Sequence, residues 1–285
     1  MALTEGDYAG FEVAVHDPGI AVVTFDQPER LNGFTIGLKR DLLEVVKQCQ
    51  MDDAVRVVVL TGTGRAFSAG DDISGGDAFR SMAATTMPPI HHGHHNELGT
   101  YNGLRWISQA LNSAVRDLDK LTVAAINGYA IQTGFSLALC CDFRIASTDA
   151  RMGSATLRFG LLPDEGGQWL LVRTLGPARA MDFLLRKRIV SGAEAAELGL
   201  VHEVVEPDRL MDAAMELATE LANGPQAAMR MLKRTIYNAA ELTWPQALDD
   251  IAARTAWTDY HPDAREGLAA FQQKREPAFN TWLDG

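Results

Sequence analysis

Short apolar, β-branched runs alternate with helix-period segments through the first two-thirds of this chain, and then the strands stop. Residues 11–16 and 20–25 flank Asp17-Pro18-Gly19, a hairpin signal. After the break at Gln27-Pro28-Glu29-Arg30, apolar residues Leu38, Leu42, Val45, Val46 and Cys49 recur at helical spacing over 36–51. Residues 56–60 read as a buried strand running into the turn Thr61-Gly62-Thr63-Gly64. The alternation returns as a helix over 104–118, a strand over 123–126, the turn Asn127-Gly128, a short apolar helix over 134–141 and a strand over 143–146. Parallel neighbours need such crossovers, so the pattern predicts a mostly parallel sheet covered by helices. Beyond Val205 come four helical segments, 208–222, 226–240, 244–259 and 262–275, punctuated by Pro207, Gly224-Pro225, Pro245 and Pro262. The expected organisation is an α/β core over 1–200 and a helical region over 201–285.

Composition narrows the function classes. With 26 Lys+Arg against 37 Asp+Glu the net charge is −11, which argues against nucleic acid as a partner. A phosphorylated small ligand stays possible, because backbone amides and a few local cations can hold it. Cys49, Cys140 and Cys141 fit neither a disulfide framework nor a metal spacing. No apolar run nears the length of a bilayer span and the first residues carry no basic or apolar leader pattern, so a cytoplasmic protein with no membrane partner is expected. Trp106, Trp169, Trp244 and Trp257 sit at helical spacing and read as core or interface residues.

The segment 74–102 breaks the pattern. It carries Gly75-Gly76, Pro88-Pro89 and His91-His92-Gly93-His94-His95 with little periodicity. Adjacent histidines rarely share one ion, and no cysteine or carboxylate stands at ligand spacing. A polar loop bordering a pocket is expected there, and no metal.

Three strand-to-turn stretches could carry chemistry. Arg65-Ala66-Phe67-Ser68-Ala69-Gly70-Asp71-Asp72-Ile73 combines small residues and free amides, as an anion-binding turn or a plain tight turn would. In Ile126-Asn127-Gly128-Tyr129-Ala130-Ile131-Gln132-Thr133-Gly134, Thr133 and Gly134 stand at a helix N-terminus, where unpaired N–H groups favour a negative oxygen. In Phe159-Gly160-Leu161-Leu162-Pro163-Asp164-Glu165-Gly166-Gly167, Asp164 reads either as an N-cap or as an acid/base carboxylate facing a pocket.

In order and spacing these stretches resemble the crotonase family, also called the enoyl-CoA hydratase/isomerase superfamily. The resemblance extends to Pro28-Glu29-Arg30-Leu31-Asn32, to Ala195-Ala196-Glu197-Leu198-Gly199-Leu200-Val201, and to the tail from Glu266-Gly267 through Lys274-Arg275-Glu276-Pro277-Ala278-Phe279. It implies a spiral of β-β-α units with a helical C-terminal trimerisation region, assembled as a homotrimer or a dimer of trimers. It also implies an acyl-CoA substrate whose thioester oxygen enters an oxyanion hole made by the backbone N–H groups of Asp71 and Thr133. Arg30, Ala69, Gly70, Asp72, Ile73, Gly134, Phe271 and Lys274 are the implied CoA or substrate contacts. No cofactor is implied beyond the CoA of the substrate. The Asp71 side chain is expected to point away from the developing anion.

The sequence departs from the family at its catalytic carboxylates. The two glutamates of typical hydratases fall at Ser136 and Thr156, and neither hydroxyl can replace a carboxylate near neutral pH. Asp164 remains, in a Pro-Asp-x-Gly-Gly segment similar to that of phenylacetyl-CoA-type isomerases, where this position carries the acidic residue. One carboxylate can move a proton between carbons, so an enoyl- or dienoyl-CoA isomerase is expected, with Glu165 as the fallback acid or base, expected to be solvated or ion-paired. An atypical hydratase is the alternative, and a non-catalytic acyl-CoA-binding protein the alternative of another class. In the related dehalogenases Asp164 would be a nucleophile, but the helper histidine falls at Gln109.

Overall fold

The computed structural model describes residues 2–72 and 97–283. Its first half is β1 (Gly6–Tyr8), β2 (Phe11–His16), β3 (Ile20–Phe25), α1 (Ile36–Met51), β4 (Val57–Gly62), β5 (Ala66–Ser68), α2 (Glu97–Gly103), α3 (Gln109–Asp117), β6 (Leu121–Ile126), β7 (Tyr129–Ile131) and α4 (Thr133–Cys140). Then follow β8 (Phe143–Ser147), β9 (Arg151–Gly153), α5 (Gly167–Leu185), β10 (Ile189–Ser191), α6 (Gly192–Glu197) and β11 (Glu203–Val205). The chain closes with α7 (Leu210–Asn223), α8 (Gln226–Ala239), α9 (Trp244–Asp259) and α10 (Pro262–Gln273).

A seven-stranded sheet runs β1-β2-β3-β4-β6-β8-β11. The hairpin pairings at its start are antiparallel, and from β3 onward each pairing is parallel. Because side chains alternate along a strand, β4 sends Val58 and Leu60 to the face covered by α1 and Val57 and Val59 to the other. That second face is covered by Leu210, Ala214, Ala218 and Leu221 of α7. Residues beyond 200 thus belong to the same sheet, since β11 completes it and α7 seals it.

A second sheet, of order β10-β9-β7-β5, is built from strands of three residues each. Such strands are too short to show a period of two, so periodicity alone misses them. β5 and β7 run parallel, with Ala66 opposite Tyr129 and Ser68 opposite Ala130, and β7 runs parallel to β9. This pairing brings the residues that follow β5, β7 and β9 to one edge.

The helix expected over 104–118 is continuous with α2, but a π-helical turn occupies Leu104–Ser108 before α3 begins. The four tryptophans are not core residues, being 44–74% exposed in the single chain. Beneath α8, Asp142 Oδ2 accepts from Lys233 Nζ at 2.8 Å and from Thr122 N at 2.8 Å, while Asp142 Oδ1 accepts from Tyr237 Oη at 2.6 Å. This buried network ties α8 to the sheet.

Candidate active site

Two backbone turns end side by side at the edge of the small sheet. After β5 the chain bends at Gly70 (φ 103°) and forms a parallel bridge with Phe34. Phe34 N donates to Gly70 O at 2.8 Å and Asp72 N to Phe34 O at 3.1 Å. Successive amides of an extended strand face opposite sides, so the Asp71 N–H is turned away from Phe34. After β7 comes Gln132, with φ 49° and ψ −104°, a backbone state that side chains disfavour. Thr133 then opens α4, and the first intrahelical bond is Ser136 N to Gln132 O at 2.8 Å, which leaves the earlier N–H groups without helix partners. A β-carbon on Gly134 would lie 2.4 Å from Ser68 O, so glycine alone lets α4 start this close to β5. The two turns approach closely: a β-carbon on Gly70 would lie 3.9 Å from Thr133 N.

The side chains beneath them form a charged cluster. The buried Lys39 Nζ lies 2.7 Å from Asp71 Oδ1, 3.0 Å from Glu165 Oε1 and 2.8 Å from Ser108 Oγ. Thr133 Oγ1 lies 2.6 Å from Asp71 Oδ1 and 2.8 Å from Glu165 Oε1. Burial alone would lower the Lys39 pKa, but the facing Glu165 and Asp71 leave it raised. Glu165 is raised too, first because burial disfavours its charge and then because Asp71 repels it, against the pull of Lys39. Its Oε2 is buried with no partner among the described residues. Glu165 is therefore paired with Lys39 and not solvated. Nor does the Asp71 carboxylate avoid the site: it turns to Lys39 and Thr133 and acts on Asp164.

Asp164 is different. It lies half-buried between the loop after β9 and the start of α5, and it joins no ion pair among the described residues. Its Oδ1 meets Gln132 Nε2 at 3.5 Å, and its backbone oxygen accepts from Gln109 Nε2 at 2.8 Å. Burial, then repulsion from Asp71, hold its carboxyl above the usual range, while Lys39 opposes them. Asp164 borders a cavity of about 390 Å³ with Arg105, Gln109, Asn112, Arg116 and Trp169.

Ser136 and Thr156 supply no carboxylate here. Ser136 is buried, and a β-carbon on Gly167 would come 2.4 Å from Ser136 Oγ, so α5 packs directly against it. Thr156 Oγ1 joins Ser154 Oγ and Gln132 Oε1 in a neutral network, and the amide nitrogen of the same Gln132 side chain is the one that faces Asp164.

The remaining expected contacts divide. Ala69 and Gly70 lie in the first turn, with Ala69 N donating to Leu31 O at 2.9 Å, and Arg30 pairs with Asp72 at 2.9 Å beside it. Phe271 is 84% exposed at the far end of the chain, with Lys274 just beyond α10, and neither lines the Asp164 cavity. Ile73 and His91, His92, His94 and His95 fall outside the described residues. Sequence reasoning missed Lys39, Ser108 and Gln132. Lys39 follows Leu38 at the margin of an apolar helix stripe, where a lysine ordinarily snorkels to solvent.

A family model described as enoyl-CoA hydratase/isomerase matches residues 16–281. The chain is 36% identical to the 1,2-epoxyphenylacetyl-CoA isomerase of Escherichia coli K12, over 92% of this chain and 95% of that protein. It is 32% identical to a probable enoyl-CoA hydratase of Rhizobium meliloti, over 91% and 94%. Among solved structures, a putative enoyl-CoA hydratase from Streptomyces coelicolor superposes with a TM-score of 0.85 at 30% identity, covering 98% of this chain and 97% of that one.

Proposed function

The chain belongs to the enoyl-CoA hydratase/isomerase family, and from that premise we propose that it isomerises an enoyl- or dienoyl-CoA, with Asp164 carrying the proton. The thioester oxygen would sit between the Asp71 and Thr133 amides. Ionised Asp164 would take a proton from a carbon next to the unsaturated system, and the electron pair would move onto the thioester oxygen as an enolate. The amides, fixed before the charge appears, stabilise it without reorganising. Asp164 would then return the same proton to another carbon, so that only a double bond has moved. A base with a raised pKa bordering a cavity suits both halves of this transfer.

The observation that carries the reading is the distribution of carboxylates. Glu165 and Asp71 are held by Lys39, Ser136 and Thr156 offer hydroxyls, and Asp164 borders the cavity while joining no ion pair among the described residues. Hydration by a pair of carboxylates lacks its second member. The hydratase reading is favoured by one observation, the number of relatives bearing that name.

Further parts of the proposal are a homotrimer or dimer of trimers, cytoplasmic location, CoA contacts at Arg30, Ala69, Gly70, Asp72, Gly134, Phe271 and Lys274, and no cofactor beyond the CoA of the substrate. The assembly is supported by the exposed large apolar side chains Trp244, Leu248, Ile251, Trp257, Leu268 and Phe271 on α9 and α10. Among the described residues no helix is long and apolar enough to cross a membrane.

The test is a panel of unsaturated acyl-CoAs incubated with wild type and Asp164→Asn. Double-bond migration that the variant lacks, with acyl-CoA binding retained, supports the proposal. Water addition supports the hydratase, and binding without conversion supports a non-catalytic acyl-CoA-binding protein.

A further inference from the structure

One buried cation holds the two carboxyls that meet at the Thr133 hydroxyl. Lys39, on α1, donates to Asp71 after β5 and to Glu165 before α5, and those two carboxyls share the hydroxyl of Thr133 on α4. A hydroxyl has one proton, so Thr133 can donate to one carboxyl only. The second close contact is then favourable when a carboxyl itself carries a proton. Glu165 is the better holder, because its side chain is 1% exposed and its Oε2 has no donor, whereas the Asp71 side chain is 53% exposed. Burial, which raises the Glu165 pKa, agrees. Proton on Glu165, the Lys39 charge and the Asp71 charge then sum to zero next to the amides. Asp164, Cys140, Arg105 and Arg116 are further titratable groups that line the same cavity as Glu165.

Building on the enolate reading above, we propose that Lys39 is the positioning residue of the oxyanion hole, locking the Asp71 and Thr133 turns together and cancelling the Asp71 carboxylate beside the developing enolate. Without it, an uncompensated anion would stand next to the atom that becomes negative. The side chain of Asp71 is tolerated at the hole because Lys39 is there.

The test reads enolate stabilisation directly, apart from Asp164. Acetoacetyl-CoA bound to the enzyme forms an enolate with a near-ultraviolet absorbance, and its bound fraction is followed against pH. Lys39→Met is expected to lower enolate formation about 10- to 100-fold while total acetoacetyl-CoA affinity changes little. Lys39→Arg should recover part of it. Adding Asp71→Asn to Lys39→Met removes the uncompensated anion and leaves the backbone amide, so most of the loss should be restored. If Lys39→Met does not fold, Lys39→Met/Glu165→Leu replaces the buried polar pair with apolar groups, and the same loss and the same rescue by Asp71→Asn are expected. Unchanged enolate formation, or a loss that Asp71→Asn does not relieve, overturns the proposal. Failure of the isomerase reading would look different: no unsaturated acyl-CoA would be converted while the Lys39 effect on the enolate persisted.

Discussion

Placing a methyl group at Gly134 should disable the enzyme while leaving its core intact. The β-carbon of Gly134→Ala would stand 2.4 Å from Ser68 O and 2.8 Å from Ser68 Cβ, where ordinary contact begins at 3.4 Å. The obstacle is backbone, and β5 is pinned on its other side by Ala69 N donating to Leu31 O and Phe34 N to Gly70 O. The first turn of α4 must therefore retreat by about 1 Å, carrying the Thr133 amide away from Asp71. A displacement of about 1 Å at a catalytic group costs on the order of 10²-fold in rate, and overpacking of this kind costs about 1–3 kcal/mol in stability. Steady-state kinetics with the best substrate from the acyl-CoA panel, alongside thermal unfolding, would measure both. Gly199→Ala is the control for strain without a clash, since Gly199 has a positive φ (75°), which Gly134 lacks, and has nothing within 4 Å of its would-be β-carbon. It should lose stability and keep its kcat. A Gly134→Ala enzyme within about threefold of the wild-type kcat, a difference of under 1 kcal/mol, would refute the argument that the β5–α4 approach sets the hole.

Asp164→Asn should gain stability near neutral pH even as it loses turnover by roughly 10²–10⁴-fold. The folded-state pKa of Asp164 is raised, so its favourable contribution is full below the unfolded pKa and is lost as pH rises through the folded one; at pH 7 the ionised side chain opposes folding. Unfolding curves at pH 7 that show the variant less stable would contradict this. For the same reason kcat/KM should rise with pH through an apparent pKa above 3.8, the ordinary Asp value. At the anchor of α8, Asp142→Ala leaves Lys233 buried without its carboxylate, and a loss of about 3–5 kcal/mol is expected in denaturant unfolding. In the tail, Glu266 is held at about 2 by Arg275 and by the Ala278 amide. Its contribution is present above the unfolded value of 4.5 and is lost as pH falls toward 2, so acidification should release the tail at Ala278 before the core unfolds, read by the fluorescence of Trp282 four residues on, and Glu266→Gln should abolish that early phase.

The hairpin, α1, β4, β6, β8 and the four terminal helices are legible from periodicity and breakers, because each is long enough for burial to impose a repeat. The three strand-to-turn stretches are legible as well, from small residues and helix starts that directly follow strands, although each taken alone also fits a plain tight turn. Sequence order could also point to Asp71, Thr133 and Asp164, and to the hydroxyls at Ser136 and Thr156. It could not bring these residues together. That depends on the small sheet of three-residue strands, whose pairing is decided by distant backbone and leaves no local pattern. The same holds for Lys39: its chemistry is set by Asp71, Ser108 and Glu165, which lie 32, 69 and 126 positions further along the chain. A helical period reports how each residue faces its own neighbours. Which carboxylate is paired with a cation and which stays outside any ion pair follow from burial and distance across the fold, and those exist only once the chain has closed on itself.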